Sequence, residues 1–159
     1  MSGKNRNIPD NKGLKGLLQC AIAMAVTLAF LFPSKGIAQC NSFARAISRH
    51  ELSPYIHDGN LNATILGEGE TLILRKTVFS GQKYRLVVKG VADMPPLKFR
   101  ILYSDQELFD NSKYNYVSKW DFTAEITRTI SIEVTAQEDD NPDTHRGGCV
   151  AILIGIDPN

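Results

Sequence analysis

The 159-residue sequence carries 18 basic residues, 17 acidic residues and three cysteines, for a formal net charge of +1. The bases crowd the amino terminus, and residues 39–159 alone hold about three more acids than bases, which leaves no basic field for a polyanion and excludes nucleic acid as a partner. That stretch of about 120 residues is near the usual size of one domain and long enough to bury a single core without metal or cofactor.

The chain opens with Lys4, Arg6, Lys12 and Lys15 against a single acid, Asp10, and then runs apolar from Leu17 to Phe32. The run is interrupted by Gln19 and Thr27 and falls short of the roughly 20 apolar residues of a spanning helix. A basic segment followed by a short apolar one is the pattern of a cleaved export signal. Pro33 and Ser34 stop the run, and Gly36-Ile37-Ala38 sets small residues where a signal peptidase reads. The cut is therefore expected between Ala38 and Gln39, giving a signal peptide over 1–38 and one domain over 39–159. The protein is then secreted or periplasmic, with no membrane span in the mature chain. The competing reading is a surface-anchored structural lipoprotein that begins at Cys40 and carries an acyl chain on that thiol. Ile37 and Ala38 fit its recognition box, whereas the bulky Gln39 does not.

Cleavage removes Cys20 and leaves Cys40 and Cys149. Two cysteines in an exported chain predict one disulfide. It would tie the first mature residues to the last strand across a loop of about a hundred residues, which the chain-entropy model values at roughly 4–5 kcal/mol. Two unpaired buried thiols are the alternative.

Phe43 to Leu52 sets Phe43, Ala46, Ile47 and His50 or Glu51 at helical spacing, with Asn41 or Ser42 as a cap and Pro54 as the stop. From Asn60 onward the period becomes two, and turn residues recur every eight to twelve positions. Asn60–Leu66 and Thr71–Phe79 flank Gly67-Glu68-Gly69, which reads as a hairpin turn and lacks the lysine of a phosphate loop. Lys83–Lys89 places Tyr84, Leu86 and Val88 on a core face. Pro95-Pro96 delays the next strand to Leu97 or Lys98, where Phe99, Ile101 and Tyr103 alternate with polar neighbours. Glu107–Asp110 is a brief strand, Asn111–Lys113 a turn, and Tyr114–Phe122 another strand with Trp120 as its anchor. Thr127–Thr135 alternates Ile130, Ile132 and Val134 against Ser131, Glu133 and Thr135. A polar loop over 137–148 leads to Cys149–Ile156, a continuous apolar run of the kind a strand buried on both faces requires. About eight strands and one short N-terminal helix argue for an all-β fold, an antiparallel two-sheet β-sandwich of jelly-roll-like form.

The segments FSGQKYRLVVKG, FRILYSDQELFDN, WDFTAEITRTISIEVTA and GCVAILIGI resemble the bacterial pre-peptidase C-terminal domain, a secreted β-sandwich. Gly81, Tyr84, Val88, Phe99, Asp105, Phe122, Thr123, Ile132 and Val134 occupy comparable places, over roughly Thr71 to Ile156. The segments PYIHDGNLNAT, FSGQKY and GCVAILIG are also similar to exported proteins of Bacteroidetes-type bacteria without an assigned activity. These resemblances imply a compartment and a fold, and no reaction. No peptidase domain precedes the module, a departure from the pre-peptidase pattern.

A nucleophilic cysteine needs a base in reach and a lowered pKa. Cys149 with His145, His50 or His57 could be drawn that way, but Cys149 opens an apolar strand and has Cys40 to pair with. His145 with Cys149, or Cys40 with His50, lacks the four close-spaced ligands of structural zinc. Asp139, Asp140, Asn141 and Asp143, or Asp105, Asp110 and Asn111, offer oxygens suited to calcium without the regular spacing of a calcium loop. No cofactor is expected, with calcium as the exception to test. His57-Asp58 before Gly59 is a possible binding surface, against the plainer reading of a turn. Tyr103, Tyr114, Tyr116 and Trp120 offer an aromatic platform for a sugar or peptide. These features favour a non-catalytic binding or accessory module for a protein or carbohydrate ligand, with a small secreted hydrolase as the remaining alternative.

Overall fold

The computed structural model describes residues 35–92, 94–138 and 147–159. Helix α1 spans Lys35–Leu52 and precedes nine strands: β1 (Ile56–His57), β2 (Asn62–Gly67), β3 (Thr71–Val78), β4 (Lys83–Gly90), β5 (Leu97–Tyr103), β6 (Gln106–Asp110), β7 (Lys119–Thr123), β8 (Arg128–Ala136) and β9 (Gly147–Ile156). One sheet has the order β1-β9-β4-β7, with β2 also on β9, and the other has the order β3-β8-β5-β6. All pairings are antiparallel. The described residues thus form an all-β sandwich with one α-helix.

Alternation builds the core. Tyr84, Leu86 and Val88 of β4, Phe99 and Ile101 of β5, and Ile130, Ile132 and Val134 of β8 point inward from the two sheets and meet Val150, Ile152 and Ile154 of β9. The other face of β9 is covered as well: Ala151 and Leu153, with Val87 of β4, pack under Ala44 and Leu52 of α1. This second layer explains why β9 reads as an unbroken apolar run, since both of its faces are dry. Gly155 permits the close contact, because a Cβ there would stand 2.7 Å from the Cβ of Tyr55.

Four expectations change. The helix begins upstream of Asn41 and Ser42, so neither is a cap; the Ser42 hydroxyl donates to the carbonyl of Ala38 at 3.0 Å and is satisfied within the helix. Its buried face runs through Cys40, Ala44 and Glu51, and Ala46 is exposed. Gly67-Glu68-Gly69 is no hairpin, because β2 lies in one sheet and β3 in the other, and the turn carries the chain between layers. Tyr114–Phe122 is a strand only from Lys119, with a 3-10 turn at Asn111–Tyr114 before it. The expected signal segment lies outside the described residues up to Ser34, and Ala38 and Gln39 are exposed in α1.

Two links hold α1 to the sheet. Cys40 is bonded to Cys149 of β9, with their Cα atoms 5.0 Å apart. The bond uses the thiol that an acyl chain would need. Toward the other end, the carboxylate of Glu51, 8% exposed, receives Lys119 of β7 at 2.8 Å and also Lys89 of β4. Hydrogen bonds from Lys119 and then Lys89 outweigh the cost of desolvation and hold the Glu51 carboxyl down from 4.5 to about 2. A folded-state value below the unfolded one stabilises above the unfolded value and is lost as pH falls. Acid should therefore weaken the helix attachment between about pH 4.5 and 2. Glu51→Gln should cost about 1–2 kcal/mol at neutral pH and flatten that part of the pH–stability curve in thermal unfolding; an unchanged curve would show that the pair contributes nothing.

Candidate interaction surface

The edge of the sandwich at β6 and β7 is closed by stacked rings. Phe122 and Trp120 of β7 lie 4.2 Å apart, Trp120 and Phe109 of β6 4.9 Å, and Phe109 and Tyr114 5.2 Å, while Tyr84 joins Phe122 at 5.5 Å. The row starts in the core at Tyr84 and surfaces at Tyr114, which is 58% exposed. Trp120 is therefore a packing residue within the row.

Beyond Tyr114 the backbone takes an uncommon path. Asn115 and Tyr116 follow one another with φ of 54° and 52°, a region that costs a non-glycine residue of order 1–3 kcal/mol and persists only where its surroundings impose it. The surroundings here are hydrogen bonds. Asn111 is buried; its amide nitrogen donates to the carbonyls of Leu97 at 3.0 Å and Val117 at 3.2 Å, and its oxygen accepts the amide N–H of Phe99 at 2.8 Å. The N–H of Tyr116 donates to the carbonyl of Asn111 at 3.0 Å. Asp110 caps the 3-10 turn, accepting from the Ser112 N–H at 2.9 Å and its hydroxyl at 2.6 Å, with Lys98 at 3.5 Å. Burial pushes the Asp110 carboxyl up, but these donors outweigh it and hold it below the usual range.

The outcome is a fixed loop that presents Tyr114, Tyr116 and Val117 to solvent. Tyr116 also walls a groove of about 170 Å3 with Val91, Met94, Pro95, Leu97 and Ser118. The far wall is held in place where the chain after Gly90 folds back over β9. The Val91 N–H donates to the carbonyl of Cys149 at 3.0 Å, and a Cβ on Gly148 would come within 2.7 Å of Val91.

The other sequence candidates lie elsewhere. His57 ends β1 and Asp58 follows it, at the edge of the sheet opposite β7. The Asp58 carboxylate accepts from the Asn60 N–H at 2.9 Å and from Lys76 of β3 at 2.5 Å, which links the edges of the two sheets. Burial raises its carboxyl, and Lys76 and Asn60 more than compensate, leaving it below the ordinary range. Nδ1 of His57 accepts from the Gly59 N–H at 3.1 Å. Its buried Nε2 has no hydrogen-bond partner among the described residues. An open cavity of about 380 Å3 beside it is lined by Ser48, Arg49, Leu52 and Tyr55. Tyr103 lies under the guanidinium of Arg128, 4.9 Å from it, outside the ring row. Asp110 and Asn111 have their oxygens committed as described, and no group of three metal-ligating side chains occurs among the described residues. His145 and Asp139 to Asp143 lie outside the described residues.

The fold and this loop define an antiparallel β-sandwich with a helix over one sheet and a rigid aromatic loop at one edge. No protein-family model matches the chain, and no curated protein matches its sequence. Among solved structures it is similar to a periplasmic inhibitor of g-type lysozyme from Aeromonas hydrophila, at 9% identity and a TM-score of 0.47, over 65% of this chain and 88% of the other. It is also similar to the Salmonella Typhimurium inhibitor of the same type, at 11% identity and a TM-score of 0.42, over 60% of this chain and 88% of the other. No helix among the described residues is long and apolar enough to cross a membrane.

Proposed function

We propose that the chain is exported, cut after Ala38, and acts as a non-catalytic module that binds a protein partner through the loop carrying Tyr114, Tyr116 and Val117 and the adjoining groove. The observation that carries this reading is the pair of left-handed residues, Asn115 and Tyr116, held by the buried Asn111 so that two tyrosines stand in water. Backbone strain supported by a buried network is a feature of binding sites, and tyrosines on a fixed loop make amphipathic contacts at little entropic cost. A protein fits this surface better than a sugar does. The groove is walled by Met94, Pro95 and Leu97, and Lys89, the cation that lines it among the described residues, is engaged by Glu51, so few hydroxyl-binding groups converge there among the described residues. Catalysis is disfavoured because Cys149 is bonded to Cys40 and the Asp58 carboxylate is spent on Lys76.

The test immobilises residues 39–159 and exposes them to the envelope fraction of cells that make the protein. Wild type should retain a specific protein, and the double variant Tyr114→Ser/Tyr116→Ser, with its melting temperature little changed, should bind that protein at least about tenfold more weakly. Equal retention by both would overturn the assignment of the surface.

A further inference from the structure

We propose that Gln39 is a modification site, and that after the cut at Ala38 the new amino terminus cyclises to pyroglutamate. The inference rests on the cleavage reading above. Gln39 is exposed in α1 and its side-chain amide makes no hydrogen bond with the described residues. Its neighbour Cys40 is fully buried and bonded to Cys149. The new terminus is thus anchored one residue away from a cross-link while its own side chain remains in solvent, where the amine and the amide of one residue are free to meet.

The charge at this position favours the same step. A helix begun at Gln39 exposes unpaired N–H groups and the positive end of its dipole. Its first residues, Gln39-Cys40-Asn41-Ser42, bring no acid to balance an ammonium there. Cyclisation removes that charge. In the reaction the α-amine nitrogen attacks the side-chain carbonyl carbon Cδ, and a five-membered lactam forms as the Cδ–Nε2 bond breaks. The amine surrenders a proton to the departing nitrogen, which leaves as ammonia, so no oxidant or co-reactant is needed.

The experiment expresses the full chain, recovers the exported protein, and determines its intact mass and its first residue without acid storage. The expected result is a chain whose mass matches residues 39–159 less one ammonia and the two hydrogens of the Cys40–Cys149 bond, with a terminus closed to stepwise sequencing. Gln39→Ala should start at the same position with a full mass and an open terminus. A wild-type chain that starts at Gln39 with full mass and a free amine, unchanged on incubation at neutral pH, overturns the cyclisation and leaves the cleavage reading intact. A chain that starts at another residue overturns both.

Discussion

Cys40→Ser and Cys149→Ser should each lower the stability of the folded protein by about 2–5 kcal/mol. The bond joins residues 109 apart in sequence and fastens α1 to β9, so its loss both loosens the unfolded chain and leaves the start of the helix held to the sheet by packing alone. Either substitution breaks the same link, and the two variants should unfold at nearly the same denaturant concentration. A variant as stable as wild type would show that the cross-link contributes nothing.

Ile132→Asp should prevent folding. Ile132 is 1% exposed in β8, the strand between β3 and β5, where it faces Leu74 on one side and Ile101 on the other. A carboxylate there would have no partner, and the cost of burying it exceeds what a domain of this size has in reserve. Ser131, one position earlier, faces the outer side of the same sheet opposite Arg75. Ser131→Asp should therefore change stability by less than about 1 kcal/mol. The contrast between neighbours tests the period-two register itself: a soluble, normally melting Ile132→Asp protein would place the strand the other way round.

The strands with strict alternation were readable from the sequence because their periodicity records which face is dry. Ile130, Ile132 and Val134 all face the core, as do Tyr84, Leu86 and Val88. Even the two-sided burial of β9 was visible in its unbroken apolar run, although the helix supplying the second cover was given the wrong register at Ala46. Gly67-Glu68-Gly69 was misread because a tight turn looks the same whether the chain returns to its own sheet or crosses to the facing one. The two-residue β1 carries too short a pattern to be seen.

The aromatic loop was only half legible. The turn at Asn111–Lys113 is legible from its polar residues and matches the 3-10 turn, but Tyr114, Tyr116 and Trp120 favour strands, which hides the left-handed path at Asn115 and Tyr116 that follows it. Which rings are buried depends on a row assembled from β4, β6 and β7, and no local spacing reveals that. The signal left unread in the sequence is Asn115 itself, a residue type that tolerates the left-handed region and here prolongs the turn. His57 and Asp58 form a distinctive pair in the sequence, but Asp58 joins the edges of two sheets, through Lys76 of β3, a link that no local pattern reveals.

The most direct test of the binding surface is photo-crosslinking in cells that make the protein, with a photoreactive residue placed at position 116 in one variant and at position 75, on the bare outer face of the β3 sheet, in another. One dominant protein adduct is expected from position 116, absent from position 75. No adduct at 116, or the same adduct from both positions, would contradict the assignment of that surface.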